Sequence, residues 1–435
     1  MPTSLLKPPE AEEHSSMNAP VKLTAVEEAL VSAFADKVHA LPGNADTIHA
    51  RDAAIEAIKS NGLPTRKVEA WHYTDLRRLM AGLPTGDGKS AAAMSAILDG
   101  SHILSIENGV AQLSGQPDGL NVELIADALG ADVGGYVPEF FGDDDAIGQI
   151  NAAFVSGGYR LAVSDDVELS EPIEIQTRTS DTQAHSGHVA AIGAKASATF
   201  VDRSFSAGPA MTTSVTHVTV KDGATVNWIV VQEEGEDASR LAKLVFDIAD
   251  GATVNLFIAN FGGKLIRQEV HARCAGENSH LDFRAVNMVG DETHCDITLV
   301  LDHQVPNTTS EETVRSVVTG KGQAVFQGQI RVAQIAQKTD AQMAANTLLL
   351  SDEAGVSVKP ELEIFADDVI CAHGATVAEI DENHLFYLMA RGISEKTARG
   401  LLVEAFVDEL VEELDNEQLV EALEGRISAW LEAHG

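Results

Sequence analysis

The six residues DGATVN occur twice, at 222–227 and again at 250–255, and this echo limits the possible fold more than any other feature of the chain. Gly223 and Gly251 lie 28 residues apart, and looser echoes around Gly193 (GAKASATF) and Gly276 (GENSHLDF) extend the pattern to a period of about 25 to 30 residues. The text between them is short, Val- and Ile-rich and punctuated by turn residues, as in VTHVTVKDGATVNWIVVQ and LVFDIADGATVNLFIAN. One such unit, two or three short strands around a glycine turn, cannot hide its own apolar residues. Stacked on its copies it builds a continuous core. A β-helix meets that requirement, and so does a long β-sandwich, whose antiparallel strands also show turn signals at short intervals. The even spacing and the absence of helical patterns between the strands weigh toward the β-helix and away from a doubly wound α/β fold.

Strand signals of this kind run from about residue 102 to 368, and helical patterns flank them. At 435 residues the chain is long for one compact core, so two or three structural units are expected. Residues 1–20, rich in Pro, Ser and Glu, are expected to be disordered, with Met17 as an alternative start. In TAVEEALVSAFADKVHAL, Val26, Ala29, Leu30, Ala33, Phe34 and Val38 share one helical face. ADTIHARDAAIEAIKSNGLP supplies a second helix ended by Gly62 and Pro64. PTRKVEAWHYTDL (64–76) reads as a connector that anchors Trp71 and Tyr73 on the next domain. The Gly-, Ser- and Ala-rich residues 81–100 read as a linker. In 334–346, Gln334, Gln337, Asp340, Gln342 and Asn346 are candidates for polar ladders.

The strand region meets the C-terminal helices in LEIFADDVICAHGATVAEID (362–381). Leu362, Ile364 and Val369 alternate there with acidic residues. A strand carried through Cys371 to His373 sends both side chains out of one face, because strand side chains alternate with a period of two. Gly374 suits a turn directly afterwards. Thiolate and imidazole are both iron ligands, but two ligands do not complete a tetrahedral site, so a metal here needs donors from a second chain. A core thiol and a satisfied histidine are the plain alternative. After Asp381, a predicted N-cap, ENHLFYLMARG forms one helix. Ser394 caps a second, with Leu402, Ala405, Phe406, Leu410 and Leu414 on its inner face. Asp415 with Gln418 resembles a capping box for a third, with Leu419, Leu423, Ile427 and Leu431 inward.

Thirty basic residues against 66 acidic give a net charge of −36, which argues against a nucleic-acid or anionic-membrane surface. No apolar run is long enough to span a bilayer, and the N-terminal stretch lacks a secretory core, so a cytoplasmic protein is expected. Three widely spaced cysteines, Cys274, Cys295 and Cys371, fit a reducing compartment. No GxxxxGK[ST] or GxGxxG occurs, so no nucleotide site is expected, and no CxxC or HExxH offers a self-contained metal site. His294 and Cys295, adjacent on a strand, point to opposite faces and read as packed residues. Cys274 reads as structural.

The segments NTLLLSDEAGVSVKPELEIFADDV, LEIFADDVICAHGATVAEIDENHLFYLMARGI and PTRKVEAWHYTDL together resemble the SufD family of the SufBCD iron–sulfur cluster assembly complex, within the SufB/SufD superfamily. The resemblance covers nearly the whole chain from about residue 20. ADDVxCxHGAT is shared in part with the paralogous SufB subunits, and TRKxExWxYTxL tips the balance to SufD. The resemblance implies a right-handed parallel β-helix over 101–370, an N-terminal helical domain and linker over 21–100, and a C-terminal helical domain over 371–435. It further implies a non-enzymatic scaffold, a heterodimer with a SufB-like subunit through a β-helix edge, and a SufC-like ATPase on the C-terminal helices. A homodimer is expected when the chain is isolated. His373, and with it Cys371, corresponds to the family residues at the interface where a transient iron–sulfur cluster forms. Ala372 stands where the family often has Ser. A docking subunit without a cluster ligand, a SufB-type role and a β-helix enzyme acting on carbohydrate are the competing expectations.

Overall fold

The computed structural model describes residues 21–131 and 145–434, apart from 81, 87, 90 and 91. The expectations for 1–20 and Met17 lie outside the described residues. Helix α1 (Ala25–Lys37) opens on a reciprocal capping box between Thr24 and Glu27. α2 (Ala45–Asn61) is capped by Asn44 and stopped by Gly62 at φ 69, and the short α3 (Leu76–Leu79) follows.

β1 (His102–Glu107) pairs antiparallel with β2 (Val110–Gln112), and β3 (Leu120–Leu124) with β4 (Gly157–Val163). From there the chain lays one strand into each of two sheets per turn. β5 (Ile173–Ser180) and β6 (Gln183–Ile192) come first, then β7 (Ser197–Ala207) and β8 (Met211–Val220), then β9 (Thr225–Glu234) and β10 (Ser239–Ile248). β11 (Thr253–Gly262) and β12 (Leu265–Cys274), β13 (His280–Val289) and β14 (His294–His303), and β15 (Thr309–Val318) and β16 (Gln323–Val332) continue the alternation. β17 (Asp340–Leu349) and β18 (Gly355–Ile364) complete it, and β19 (Ile370–Ala378) ends the stack. The odd-numbered strands from β5 onward extend a 10-stranded sheet and the even-numbered ones a 9-stranded sheet. Their pairings are parallel, so the core is a parallel β-solenoid.

Two stretches depart from the strand-only reading of 101–370. α4 (Ile125–Gly130) and α5 (Ala146–Phe154) fall inside it. Every residue of α5 is buried, and at nine residues its apolar face of Ile147, Ile150 and Phe154 is too short to stand out from the strand text around it. β19 also runs past 370, so the solenoid ends after Ala378 and the boundary expected at 371 falls within its last strand. Gly374 lies within that strand and not in a turn. The backbone stays extended because β17 supplies hydrogen-bond partners along its whole length.

The repeat proves to be a repeat of backbone conformation rather than of glycine. Successive turns put one residue in the left-handed region at Asp166, Lys195, Gly223, Gly251, Asn278, Asn307 and Lys338. Lys195, Gly223 and Gly251 each donate their amide to the neighbouring coil at 2.8–2.9 Å, to Asp222, Asp250 and Glu277 respectively. The equivalents of Gly223 and Gly251 are therefore Lys195 and Asn278, not the expected Gly193 and Gly276. Glycine marks a positive φ but is not required for one. The asparagines of DGATVN do stack. Asn255 donates to Asn227 at 2.8 Å and Asn227 to Thr199 at 3.1 Å, each across 28 residues.

Three apolar layers follow. The solenoid interior packs Phe200, Trp228, Phe246 and Phe283 among aliphatic residues of both sheets. On the outer face of the odd-numbered sheet, Ile229, Phe257, Val286 and Val317 meet α6 (Glu382–Ala390), α7 (Glu395–Val411) and α8 (Glu417–His434). On the outer face of the even-numbered sheet, Met211, Val215, Leu241 and Leu265 meet α1, α2 and α5. Asp381 and Ser394 cap α6 and α7 as expected. α8 is instead capped by Asn416, which accepts from the Leu419 amide at 3.0 Å, while Gln418 reaches Asp99. The fully buried residues of α7 are Ala398, Val403, Val407, Leu410 and Val411; of the expected face Leu410 is among them, while Leu402, Phe406 and Leu414 pack partly buried against the same cluster.

The left-handed turn positions make a prediction about stability. Lys195→Gly and Asn307→Gly should each raise the thermal midpoint, and Gly251→Val should lower stability by about 1–2 kcal/mol. Matched denaturation of the variants measures the difference.

Candidate functional site

Cys371 and His373 sit on the last strand of the solenoid. Among the described residues, β19 has β17 on one side and no strand on the other, and β18, the last strand of the opposite sheet, has only β16. In register, Cys371 lies over Ala341 and His373 over Met343, and both of those partners face the buried interior. The pair therefore leaves the inner face of the final coil, at the mouth of the stack. Cys371 is half-buried and packs against the interior cluster, while His373 is exposed because no further coil covers it. Burial pushes the Cys371 thiol above its ordinary value, and the negative groups Asp340 and Glu312 push it the same way.

Around the pair the edge is apolar. Ile370 and Val377 on β19 are exposed at 65% and 52%, and Phe365, just after β18, at 57%; among the described residues no strand pairs with the outer edges of β18 and β19. Among the described residues no three His, Cys, Asp or Glu side chains converge closely enough to hold a metal ion. The chain thus offers one thiol and one imidazole at an open edge. These are donors that suit iron and iron–sulfur chemistry, and they are too few to close a site alone.

The remaining predicted residues separate cleanly. Cys274 is buried in the interior with its thiol pushed up to about 12 by desolvation. Cys295 is buried and shifted in the same direction, with its sulfur 3.7 Å from Asn287 Oδ1. His294 leaves the opposite face, where its Nε2 lies 2.9 Å from Thr74 Oγ1. Thr74 belongs to the 64–76 connector, and its hydroxyl also donates to Asp296, which pairs with Arg267. Arg267 lies 4.0 Å from the centre of the buried Trp71 ring and donates to the Ala70 carbonyl at 2.8 Å. The connector is therefore an anchor, with Trp71 and Thr74 rather than Tyr73 as its fixed points. Of the expected ladder residues, Asn346 donates to Thr376 on β19 at 2.6 Å.

Residues 175–406 match the family described as SUF system FeS cluster assembly, SufBD core domain, a span that includes both Cys371 and His373. The chain is 30% identical over 397 residues to the iron–sulfur cluster assembly protein SufD of Escherichia coli, covering 86% of this chain and 90% of that one. The chain belongs to the SufBD family. It is also 25% identical over 434 residues to an iron–sulfur cluster assembly SufBD family protein of Synechocystis, with 92% of each chain covered. To the chloroplastic protein ABCI7 of Arabidopsis thaliana it is 34% identical over 199 residues, 45% of this chain and 38% of that one. No helix among the described residues of this SufBD-family chain is long and apolar enough to cross a membrane.

Sequence reasoning passed over one residue near the pair. Glu312 on β15 faces the interior in the column Phe283, Glu312, Met343, His373. It is fully buried, and desolvation pushes its carboxyl up to about 8. Counting back two coil lengths from His373 would have found it, once the coil length was known.

Two outcomes follow. In the native chain Cys371 should react with iodoacetamide well before Cys274 or Cys295, as read by peptide mass mapping. Glu312 ionises more readily unfolded, near 4.5, than folded, near 8, so the stability it contributes is complete below pH 4.5 and falls as pH rises to about 8. Glu312→Gln should therefore stabilise the chain increasingly across that window, by about 2–4 kcal/mol at its upper end, measured by denaturation at several pH values.

Proposed function

We propose that the chain is a non-enzymatic scaffold subunit for iron–sulfur cluster assembly in a SufBCD-type complex, with the nascent cluster as its cargo. The observation that carries the reading is the unpaired mouth of the solenoid, where a thiol and an imidazole stand side by side on an apolar edge. A SufB-like subunit pairs with that edge, and its own donors complete the ligand set that Cys371 and His373 begin. The thiolate and imidazole hold iron during assembly, and the partner's strands exclude water from it. The same edge accounts for a homodimer of the isolated chain.

The helical end supplies a second surface. Phe386, Tyr387, Met389 and Leu401 are exposed on α6 and α7 at 42–73%, beside the acidic residues of α7. A SufC-like ATPase docks there, and its hydrolysis cycle moves α6–α8 against the sheet they cover. The salt bridges Arg315–Glu409, Arg284–Glu413 and Arg426–Glu233, at 2.6–3.0 Å, couple that motion to the solenoid.

In the reconstituted complex His373→Ala should cut cluster formation at least about 10-fold, read as iron and acid-labile sulfide per complex. Cys371→Ala should reduce it as well. Unchanged cluster content in His373→Ala removes the ligand role and leaves a docking subunit. Ile370→Lys should prevent pairing while leaving the monomer folded, read by light scattering of the mixed subunits.

A further inference from the structure

Between α1 and the first coils of the solenoid, toward the opposite end of the stack from Cys371 and His373, lies a cleft of about 610 Å³. That is the size of a small-molecule site. Ala33, Leu41, Leu83 and Phe154 give it an apolar wall. Gln183 and His185, two residues apart on β6 and so on one face of it, line the cleft from the sheet. Each carries a buried polar atom that no described residue satisfies, Gln183 Oε1 and His185 Nε2, and His185 as a whole is only 4% exposed. A buried donor or acceptor left unmet costs stability, so both atoms call for a partner.

The surroundings fix what each atom offers. Asn151 Nδ2 donates to Thr213 Oγ1 at 3.0 Å, and that hydroxyl lies 2.9 Å from His185 Nδ1. Among the described residues the buried Thr213 proton has no other acceptor, so it goes to Nδ1. Burial, with Lys37 and Arg51 nearby, pushes the ring down to about 3, so the imidazole is neutral and carries its one proton on Nε2. Thr213 stands one coil after His185 in their column, and Ser156 one coil before it, with its amide bonded to the His185 carbonyl. With Nδ1 turned to Thr213, the Nε2–H points back toward Ser156, which lines the cleft. Phe154 stacks on the imidazole at 5.0 Å between ring centres and holds its plane. Gln183 is fixed in the complementary sense. Its Nε2 donates to the Pro84 carbonyl at 3.4 Å, which leaves Oε1 as an acceptor.

We propose that this cleft binds a small N-acyl amino acid, a molecule with one amide group, one carboxylate and one apolar side chain. His185 Nε2–H donates to the acyl carbonyl, and the ligand's amide N–H donates to Gln183 Oε1. A neutral imidazole and a neutral amide suit the buried wall, where a carboxylate would lose its water without a counter-charge. The carboxylate stays at the rim, beside the exposed ammonium of Lys37. Asp36, next to it on α1, repels a second negative charge, so a monoanion is favoured. The apolar side chain lies on Ala33, Leu41 and Leu83. The site shares no residue with the solenoid mouth, and the scaffold reading stands or falls without it.

Titration calorimetry of the full chain tests this with N-acetyl-leucine, its primary amide, which lacks the charge, and isocaproic acid, which lacks the acylamino group. N-acetyl-leucine should bind saturably at one site per chain, and each of the other two at least about 10-fold more weakly. Lys37→Ala, an exposed substitution, should erase the difference between the acid and its primary amide. Gln183→Leu and His185→Phe, the second of which keeps a ring against Phe154, should each weaken N-acetyl-leucine about 10-fold. No saturable binding of N-acetyl-leucine, equal affinity for the three probes, or unchanged affinities in the variants overturns the inference. Should His185→Phe misfold, the three probes on the wild type and on Lys37→Ala still decide it.

Discussion

Parallel, in-register stacking of coils is the constraint from which the rest of this structure follows. Each strand satisfies its backbone by bonding to the strand one coil before and one coil after, so every interior coil is complete only because it has two neighbours. The first coils avoid the problem of an end by antiparallel pairing, β1 with β2 and β3 with β4. The last coil has no such device. β18 and β19 finish the stack with unpaired edges, and the exposed Ile370, Val377 and Phe365 leave them apolar. A free edge of this kind is a template on which another strand can pair.

The same stacking explains why the chemistry gathers at that end. A side chain facing inward in the middle of the solenoid is sealed above and below, and most such positions hold Val, Ile, Leu or Phe. In the final coil an inward-facing residue remains open to a partner. Cys371 and His373 occupy inward positions that elsewhere in their columns are filled by Ala341 and Met343. The fold thus converts two core positions into surface donors simply by ending. The helical units serve the solenoid differently, each covering the outer face of one sheet. The connector locks the N-terminal unit through Trp71, Thr74 and Arg267, and salt bridges to Arg315 and Arg284 hold the C-terminal one.

Much of this was legible in the primary structure. The DGATVN echo named the architecture and came close to its period, the observed steps between bonded ladder residues being 27–31. The alternation around Cys371 placed the thiol and imidazole on one face, and the caps at Asp381 and Ser394 stood in plain text. Where reading failed, it failed for identifiable reasons. α5 is nine residues long, too short for its apolar face to stand out from the strand text around it. Lys195 and Asn278 take the left-handed conformation that glycine was used to detect. Gly374 is held extended by its neighbour strand, which a local turn signal cannot anticipate.

What the sequence determined by itself is therefore local: alternation, turn chemistry, capping, and the resemblance of its motifs to an iron–sulfur assembly family. Which residues share a column was decided only in three dimensions, because coils of 27–31 residues drift in length and a one-residue error moves a side chain to the other face. Glu312 is the clearest case. In sequence it is one of two adjacent glutamates on a strand, and nothing separates it from Glu311. The winding of the chain turns one of them to solvent and seals the other beneath the open end, where burial gives the same side chain a different chemistry.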